Sequence, residues 1–78
     1  MNKENYKVLV PHDFTSVADC AVSHASKIAS SYDGEVYLLH IVGKAKEVDS
    51  AKEKLTKVAQ DAENKYKVNM HVIVRIGN

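Results

Sequence analysis

Cysteine is almost absent from this sequence, which has one thiol, Cys20, among its 78 residues. A single cysteine cannot form an internal disulfide, so disulfide-stapled secreted folds are excluded and a reducing compartment, the cytoplasm, is expected. Residues 1–5 lack the apolar core of a signal peptide. No apolar run approaches the ~18–20 residues that cross a bilayer, so the sequence predicts no integral membrane protein.

Glycine and proline are also scarce, with three glycines and one proline in the chain. Neither the glycine-rich dinucleotide fingerprint nor the Walker phosphate loop occurs, so flavin and phosphate-loop NTPase chemistry is not expected. An excess of charge of one sign is lacking too, because 11 basic and 10 acidic residues give a net charge of +1. This balance predicts neither nucleic acid nor an anionic membrane as a partner.

Short apolar runs, separated by helical patterns, make up most of the chain. Residues 8–10 and 36–42 are rich in Val and Leu with little polar alternation, as in strands of a parallel sheet that are buried on both faces. Residues 68–76 alternate in part between apolar and polar side chains, which favours an edge strand. The sequence therefore predicts three strands.

Two amphipathic helices are predicted between these strands. The first is capped by Thr15 or Asp13 and ends at Gly34, which we expect to adopt the left-handed conformation that closes many helices. The second is expected to be capped by Asp49 or Ser50. Each carries an apolar stripe at helical spacing, formed by Ala18, Ala21, Val22, Ala25, Ile28, Ala29 and Tyr32 in the first and by Ala51, Leu55, Val58, Ala62 and Tyr66 in the second.

The alternation of strands and helices predicts an α/β fold with a parallel sheet. Right-handed crossovers that proceed in one direction give the strand order 3-2-1 and place both helices on the same face of the sheet. The other face is then bare, although the first two strands have the composition of fully buried strands. We therefore expect further chain or a second copy to cover it. A homo-oligomer, a dimer or higher, would complete the sheet, with copies pairing through the edges of the first strand or through the bare faces. An order with the first strand in the centre would put one helix on each face, and the sequence leaves both orders open.

Asp13 is the first candidate for a functional residue, because it follows Pro11 at the carboxyl end of the first strand, where ligands bind in open α/β sheets. The alternative is a local role in capping the helix or shaping the turn. His12, His40 and Asp13 could together imitate a metal site, but no further ligand occurs at a fixed spacing. No nucleophile, general base or metal cluster marks an active site, so we do not expect an enzyme.

Residues 7–15, 21–29 and 35–42 closely resemble the universal stress protein family, and the second helix and third strand agree with it in type and spacing. The resemblance implies an adenine nucleotide alpha hydrolase-like, three-layer fold with the strand order 3-2-1-4-5. This chain would carry the first three strands, as a single partial domain over residues 1–78. It also implies a stress-response protein that acts in signalling or regulation as a dimer. A module that dimerises without binding nucleotide is the alternative.

Many members of this family bind ATP or AMP, and the resemblance assigns the contacts to strand ends. Adenine and ribose would lie against Pro11 and Asp13 after the first strand and against Ile41, with Val42 beside it, at the end of the second. Relatives hold the phosphates with a glycine-rich segment after the fourth strand, which this sequence lacks. We therefore expect weak binding that does not distinguish ATP from ADP or adenosine. Weak ATPase activity is the remaining enzymatic alternative.

Overall fold

The computed structural model describes residues 6–77, in which strands and helices alternate as predicted. The elements are β1 (Lys7–Pro11), α1 (Ser16–Ser31), β2 (Glu35–Val42), a short 3-10 helix (Ala45–Glu47), α2 (Val48–Tyr66) and β3 (Asn69–Ile76). Residues 1–5, for which no signal peptide is predicted, and residue 78 lie outside this range. Neither α1 nor α2 is long and apolar enough to span a membrane.

The three strands form one parallel sheet with β2 in the centre, which confirms the order 3-2-1. Val36 of β2 lies opposite Val8 of β1 on one side and opposite Met70 of β3 on the other. The order with β1 in the centre is excluded. Both helices pack on the same face, where the Tyr66 hydroxyl of α2 donates a hydrogen bond of 2.7 Å to the Ser23 hydroxyl of α1.

The core lies between the sheet and the two helices. Val36 and Leu38 of β2 are fully buried against Leu55 of α2, and the small side chains of α1 allow that helix to approach the sheet closely. The predicted stripe of α1 is confirmed for most of its members, but Ala21 and Tyr32 are exposed. The buried residues of this core are Val10, Val22, Ala25, Ala29, Val36, Leu38, Leu55, Ala59, Ala62, Val68 and Met70.

The end of α1 differs from the prediction. Asp33, with a φ of 55°, adopts the left-handed conformation, whereas Gly34 does not have a positive φ. Glycine is required at residue 34 for a different reason, because a Cβ atom there would lie 2.5 Å from the carbonyl oxygen of Tyr6. That oxygen accepts a hydrogen bond of 2.9 Å from the amide of Glu35. The glycine therefore permits two backbone segments to approach each other where β2 begins.

The start of α2 also differs from the prediction. The helix begins at Val48, before Asp49 and Ser50, because the 3-10 turn leads into it directly. The carboxylate of Glu47 accepts hydrogen bonds from the amides of Gly43 at 3.1 Å and Lys44 at 3.2 Å. This side chain satisfies backbone donors ahead of the helix, so a separate cap at residue 49 or 50 is not needed.

The second face of the sheet, which we call the open face, has no helix over it in the part of the chain that the structure describes. Leu9 is 57% exposed and Ile41 is 52% exposed, although their strands have the composition of fully buried ones. That a second copy or further chain covers this face stays a prediction. The strand register, together with the alternation of side chains along each strand, identifies the apolar residues of the open face. They are Leu9, Pro11, Tyr37, Leu39, Ile41 and Ile73.

Candidate functional site

A loop of residues 12–15 joins the end of β1 to the start of α1. Thr15 caps the helix, since its hydroxyl accepts a hydrogen bond of 3.2 Å from the amide of Ala18. Asp13 holds this cap in place, because its Oδ1 accepts hydrogen bonds from the Thr15 hydroxyl at 2.6 Å and from the Thr15 amide at 3.2 Å. Of the two predicted caps, Thr15 is therefore the one that contacts the helix.

The Asp13 carboxylate is exposed and charged at neutral pH. The hydrogen bond from the Thr15 hydroxyl, followed by that from the Thr15 amide, lowers the pKa of Asp13 below its usual value of 3.8. Within residues 6–77, both of these hydrogen bonds go to Oδ1. Neither of these two hydrogen bonds uses the second carboxylate oxygen, Oδ2.

His12 anchors the loop, and it is buried, with 3% of its surface exposed. Its Nδ1 accepts a hydrogen bond of 3.0 Å from the amide of Phe14, so the neutral ring carries its proton on Nε2. Nε2 lies 3.1 Å from Oδ1 of Asp19 and donates to it. The His12 carbonyl accepts a hydrogen bond of 2.7 Å from Nδ1 of His40. These bonds join the loop to α1 and to β2.

The role of His12 was missed by sequence reasoning, which considered this residue only as a metal ligand. A histidine next to a buried strand is the one available signal, and it does not identify its partners. Both ring nitrogens of His12 are occupied by Phe14 and Asp19, and one ring nitrogen of His40 is also occupied. Among the described residues, no group of three or more His, Cys, Asp and Glu side chains could hold a metal ion.

Phe14 has a φ of 65°, which is uncommon for a bulky residue and costs about 1–2 kcal/mol. Its ring packs against His40, with centroids 4.6 Å apart, and meets the edge of His12 at 5.3 Å. The ammonium group of Lys54 lies 5.6 Å from the centre of the same ring. These contacts stabilise a strained backbone at the carboxyl edge of the sheet, a position where strain is often associated with function.

An open hollow of about 670 Å³, which we call the first hollow, lies at the junction of β1 and α1. Pro11 and Asp13 line it together with Leu39 and Ile41 of β2, so three of the four predicted site residues are brought together. The α1 side is lined by Thr15, Val17, Ala18 and Ala21. Most of the surface of this hollow is apolar, and Asp13 supplies its charge.

Val42, the fourth predicted residue, lies apart from this group. Its side chain is 7% exposed and belongs to the helix-covered side of the sheet. It lines a second hollow of about 480 Å³, which the structure places between the end of β2 and the start of α2. Ile41 lines both hollows, so they adjoin. The other residues of the second hollow include Phe14, His40, Gly43, Lys46, Glu47, Ser50, Ala51 and Lys54.

Comparison with known proteins gives one family and several solved structures. The model of the universal stress protein family matches residues 4–78. The structure is similar to the universal stress protein UspA from Lactobacillus plantarum, with a TM-score of 0.76 and 20% identity over 97% of this chain and 63% of that one. A universal stress protein family structure from Burkholderia pseudomallei has a TM-score of 0.69 and 18% identity over 92% of this chain and 63% of that one.

A third similar structure is a universal stress protein in complex with cAMP, with a TM-score of 0.69 and 15% identity over 95% of this chain and 56% of that one. Identities at this level show a common fold. The chain spans between 56% and 63% of the length of these three proteins. Comparison with curated proteins finds no match.

Proposed function

The chain belongs to the universal stress protein family, and on that premise we propose that it binds an adenine nucleotide, ATP or AMP, in the first hollow. Its role would be regulatory, as a stress-response protein that acts in the cytoplasm. The family match confirms the resemblance found in the sequence. The proposal that this chain binds a nucleotide rests on the geometry around Asp13.

The observation that carries this proposal is a charged carboxylate held beside an apolar wall. Thr15 fixes one oxygen of Asp13, and the other can accept hydrogen bonds from the two hydroxyls of a ribose. Pro11, Leu39 and Ile41 offer apolar surface against which a flat purine can pack. A ribonucleoside combines a flat ring with a vicinal diol in this way.

A relative of known structure supports the same class of ligand. One of the similar structures is that of a universal stress protein in complex with cAMP, a molecule that contains adenine, ribose and phosphate. The chain of that protein and the present chain share their fold over 95% of the present chain. The ligand class is therefore compatible with this fold.

Replacing Asp13 by alanine is expected to weaken adenosine binding by about 10- to 100-fold, the usual loss when a hydrogen-bonded charge is removed. Titration calorimetry with adenosine measures it. Asp61→Ala, which removes an exposed carboxylate from α2, is the matched control and should bind as the parent does. Asp13→Asn retains an oxygen for Thr15 and separates the loss of charge from the loss of the cap. Equal adenosine affinity in the parent and in Asp13→Ala would contradict the proposed site.

We also propose that two copies of the chain associate through their open faces. Arg75 lies in register with Ile41 at the carboxyl end of the sheet, and Glu35 lies in register with Lys7 at the amino end. A two-fold axis between the faces, perpendicular to the strands, would bring the row that contains Arg75 of one copy opposite the row that contains Glu35 and Asn69 of the other. The apolar side chains between these rows would then be buried, as an isologous interface requires.

Self-association predicts a molar mass that rises with concentration toward that of a dimer in the micromolar range. Light scattering measures it. Leu9→Lys puts a charge among the apolar side chains of the open face, in the middle of β1, and should give a monomer. Tyr32→Lys alters a side chain that is 58% exposed at the end of α1, away from that face, and should leave the dimer intact. A parent chain that stays monomeric, with unfolding independent of concentration, would contradict the interface.

A dimer without adenosine binding would support the alternative function, an interaction module that binds no nucleotide.

A further inference from the structure

We infer that the outer edge of β1 is a further interface between copies of this chain, at which two β1 strands pair antiparallel to each other. Within residues 6–77, β1 pairs with β2 on one side and with no strand on the other. An unpaired edge presents backbone amides and carbonyls to another chain. This edge is distinct from the open face, and its pairing does not depend on nucleotide binding.

A hydrogen bond after the end of β1 shows which of its residues point outward. The His12 amide donates a hydrogen bond of 2.7 Å to the Leu39 carbonyl of β2. Since the backbone groups of successive residues in a strand point to opposite sides, the even-numbered residues of β1 point toward β2. The odd-numbered ones point to the outer edge, and they are Lys7, Leu9 and Pro11. Proline has no amide hydrogen, so it is confined mainly to positions of this kind.

The outer edge is complementary to itself when Leu9 lies opposite Leu9 of a second copy. The two Leu9 residues would exchange amide-to-carbonyl hydrogen bonds, and each Lys7 amide would donate to the Pro11 carbonyl of the other copy. The missing amide of Pro11 therefore removes only the return bond to Lys7. Every other outward amide of β1 finds an acceptor in this register.

Charge favours the same register. Lys7 of one copy would lie opposite Pro11 of the other, at the end of β1 that Asp13 follows, so that opposite charges approach each other. If Lys7 lay opposite Leu9 instead, the two lysines would be diagonal neighbours and would repel each other. Pro11 and Asp13 line the first hollow, so the second copy would contribute Lys7 to it.

The first helix has an exposed apolar stripe on the same side of the molecule. Val17 is 77% exposed, Ala21 is also exposed, and Ile28 shares their side of α1 because the three are four and seven residues apart. Val17 and Ala21 line the first hollow together with Pro11, so the stripe begins beside the end of β1. Exposed apolar surface of this kind indicates a contact with another molecule.

Pairing of the strands would bring the α1 helices of the two copies together. The helix contacts both β1 and β2, so it lies over the strands that it connects. Because neighbouring strands are about 4.8 Å apart, two such helices, one on each side of the paired β1 strands, would be about 10 Å apart. Packed helices have axes about 8–10 Å apart. The strand pair and the helix pair would therefore form one continuous interface around a two-fold axis perpendicular to the sheet.

Disulfide cross-linking of the full chain tests this interface. In a variant that combines Leu9→Cys with Cys20→Ser, two thiols would face each other with Cα atoms about 5.5 Å apart, a distance that a disulfide spans. Association through the open faces cannot form this disulfide, because packed sheets are about 10 Å apart. Linked dimers after mild oxidation would therefore report pairing at the edge, separately from the proposed function.

Ile41→Cys, also combined with Cys20→Ser, is the matched control. Leu9 and Ile41 are 57% and 52% exposed and lie on the same face, but Ile41 is not on the outer edge. We expect the Leu9→Cys variant to form linked dimers at least about tenfold faster, since pairing raises the effective concentration of the second thiol. Equal rates would overturn the interface, whatever is found for adenosine binding or for the open face.

Two further comparisons test the register and the helix contact. Lys7→Cys with Cys20→Ser should link as slowly as the Ile41 control, because its Cα atom would lie about 14 Å from that of its copy. If it links as fast as Leu9→Cys, the register is overturned. Val17→Lys, added to the Leu9→Cys variant, should slow linking at least about tenfold by placing a charge between the helices, whereas Gln60→Lys on the exposed surface of α2 should not. Equal rates in these two variants would overturn the helix contact.

Discussion

Replacing Gly34 by alanine is expected to destabilise the protein by about 3 kcal/mol, at the upper end of what overpacking usually costs. The added Cβ would lie 2.5 Å from the carbonyl oxygen of Tyr6 and 2.8 Å from an atom of its ring. A backbone oxygen cannot rotate away as a side chain can. Relief requires the segment before β1 to move, which breaks its hydrogen bond with the amide of Glu35. For a domain of this size, that loss is a large share of the roughly 4–12 kcal/mol of total stability.

Gly43→Ala is the matched control for this substitution. A Cβ atom at residue 43 would be 3.8 Å from Oε1 of Glu47, which is an ordinary contact, and the residue does not have a positive φ. We expect a change within about 0.5 kcal/mol, or a slight gain from the lower entropy of the unfolded chain. Denaturant midpoints of the two variants provide the comparison, provided that their m-values agree. Equal midpoints would show that the contact between residue 34 and Tyr6 does not constrain the fold.

Replacing His12 by alanine is expected to cost about 2–4 kcal/mol, because it combines a cavity with a lost acceptor for a buried amide. The amide of Phe14 loses the Nδ1 atom that it bonds to, and the left-handed conformation of Phe14 loses its support. Since Asp13 lies between these two residues, we also expect adenosine binding to weaken. Thermal or denaturant unfolding and calorimetry measure the two effects on the same samples.

Two further substitutions make the His12 prediction specific. His12→Asn can place its amide oxygen near the position of Nδ1, so it should retain part of the loop structure while losing the bond to Asp19. Its stability should lie between those of the parent and the alanine variant. His24→Ala removes an exposed histidine from α1 and should change stability by less than about 0.5 kcal/mol. If His12→Ala were as stable as His24→Ala, the ring would not be what holds the loop.

The strands were predictable because their signals are local, and continuous apolar runs identified β1 and β2. The right-handedness of parallel crossovers predicted both helices on one face for the order 3-2-1, but it did not exclude the order with β1 in the centre. The reason for Gly34 was not predictable, since a glycine after a helix indicates a left-handed residue, and its close contact with Tyr6 depends on tertiary structure. The start of α2 was predicted a few residues late because Glu47 satisfies the preceding amides from inside the turn.

The residues of the candidate site that follow the ends of strands were predictable from the sequence. Pro11, Asp13 and Ile41 meet because the carboxyl ends of neighbouring parallel strands lie at one edge of the sheet. Val42 follows Ile41 directly, and successive side chains in a strand point to opposite faces, so the two cannot both present their side chains to the first hollow. The contacts of His12 with Asp19 and His40 connect residues on three elements, and no periodicity in a sequence records such contacts.

The open face and the first hollow have Pro11, Leu39 and Ile41 in common. A nucleotide and a second copy of the chain would therefore compete for the same atoms. Competition of this kind is antagonistic coupling, and it is reciprocal. If bound nucleotide lowers the association constant of the two copies by some factor, association lowers the affinity for nucleotide by the same factor. In a protein with both properties, the fraction of dissociated chains would report the concentration of free nucleotide, and no conformational change would be needed to transmit the signal.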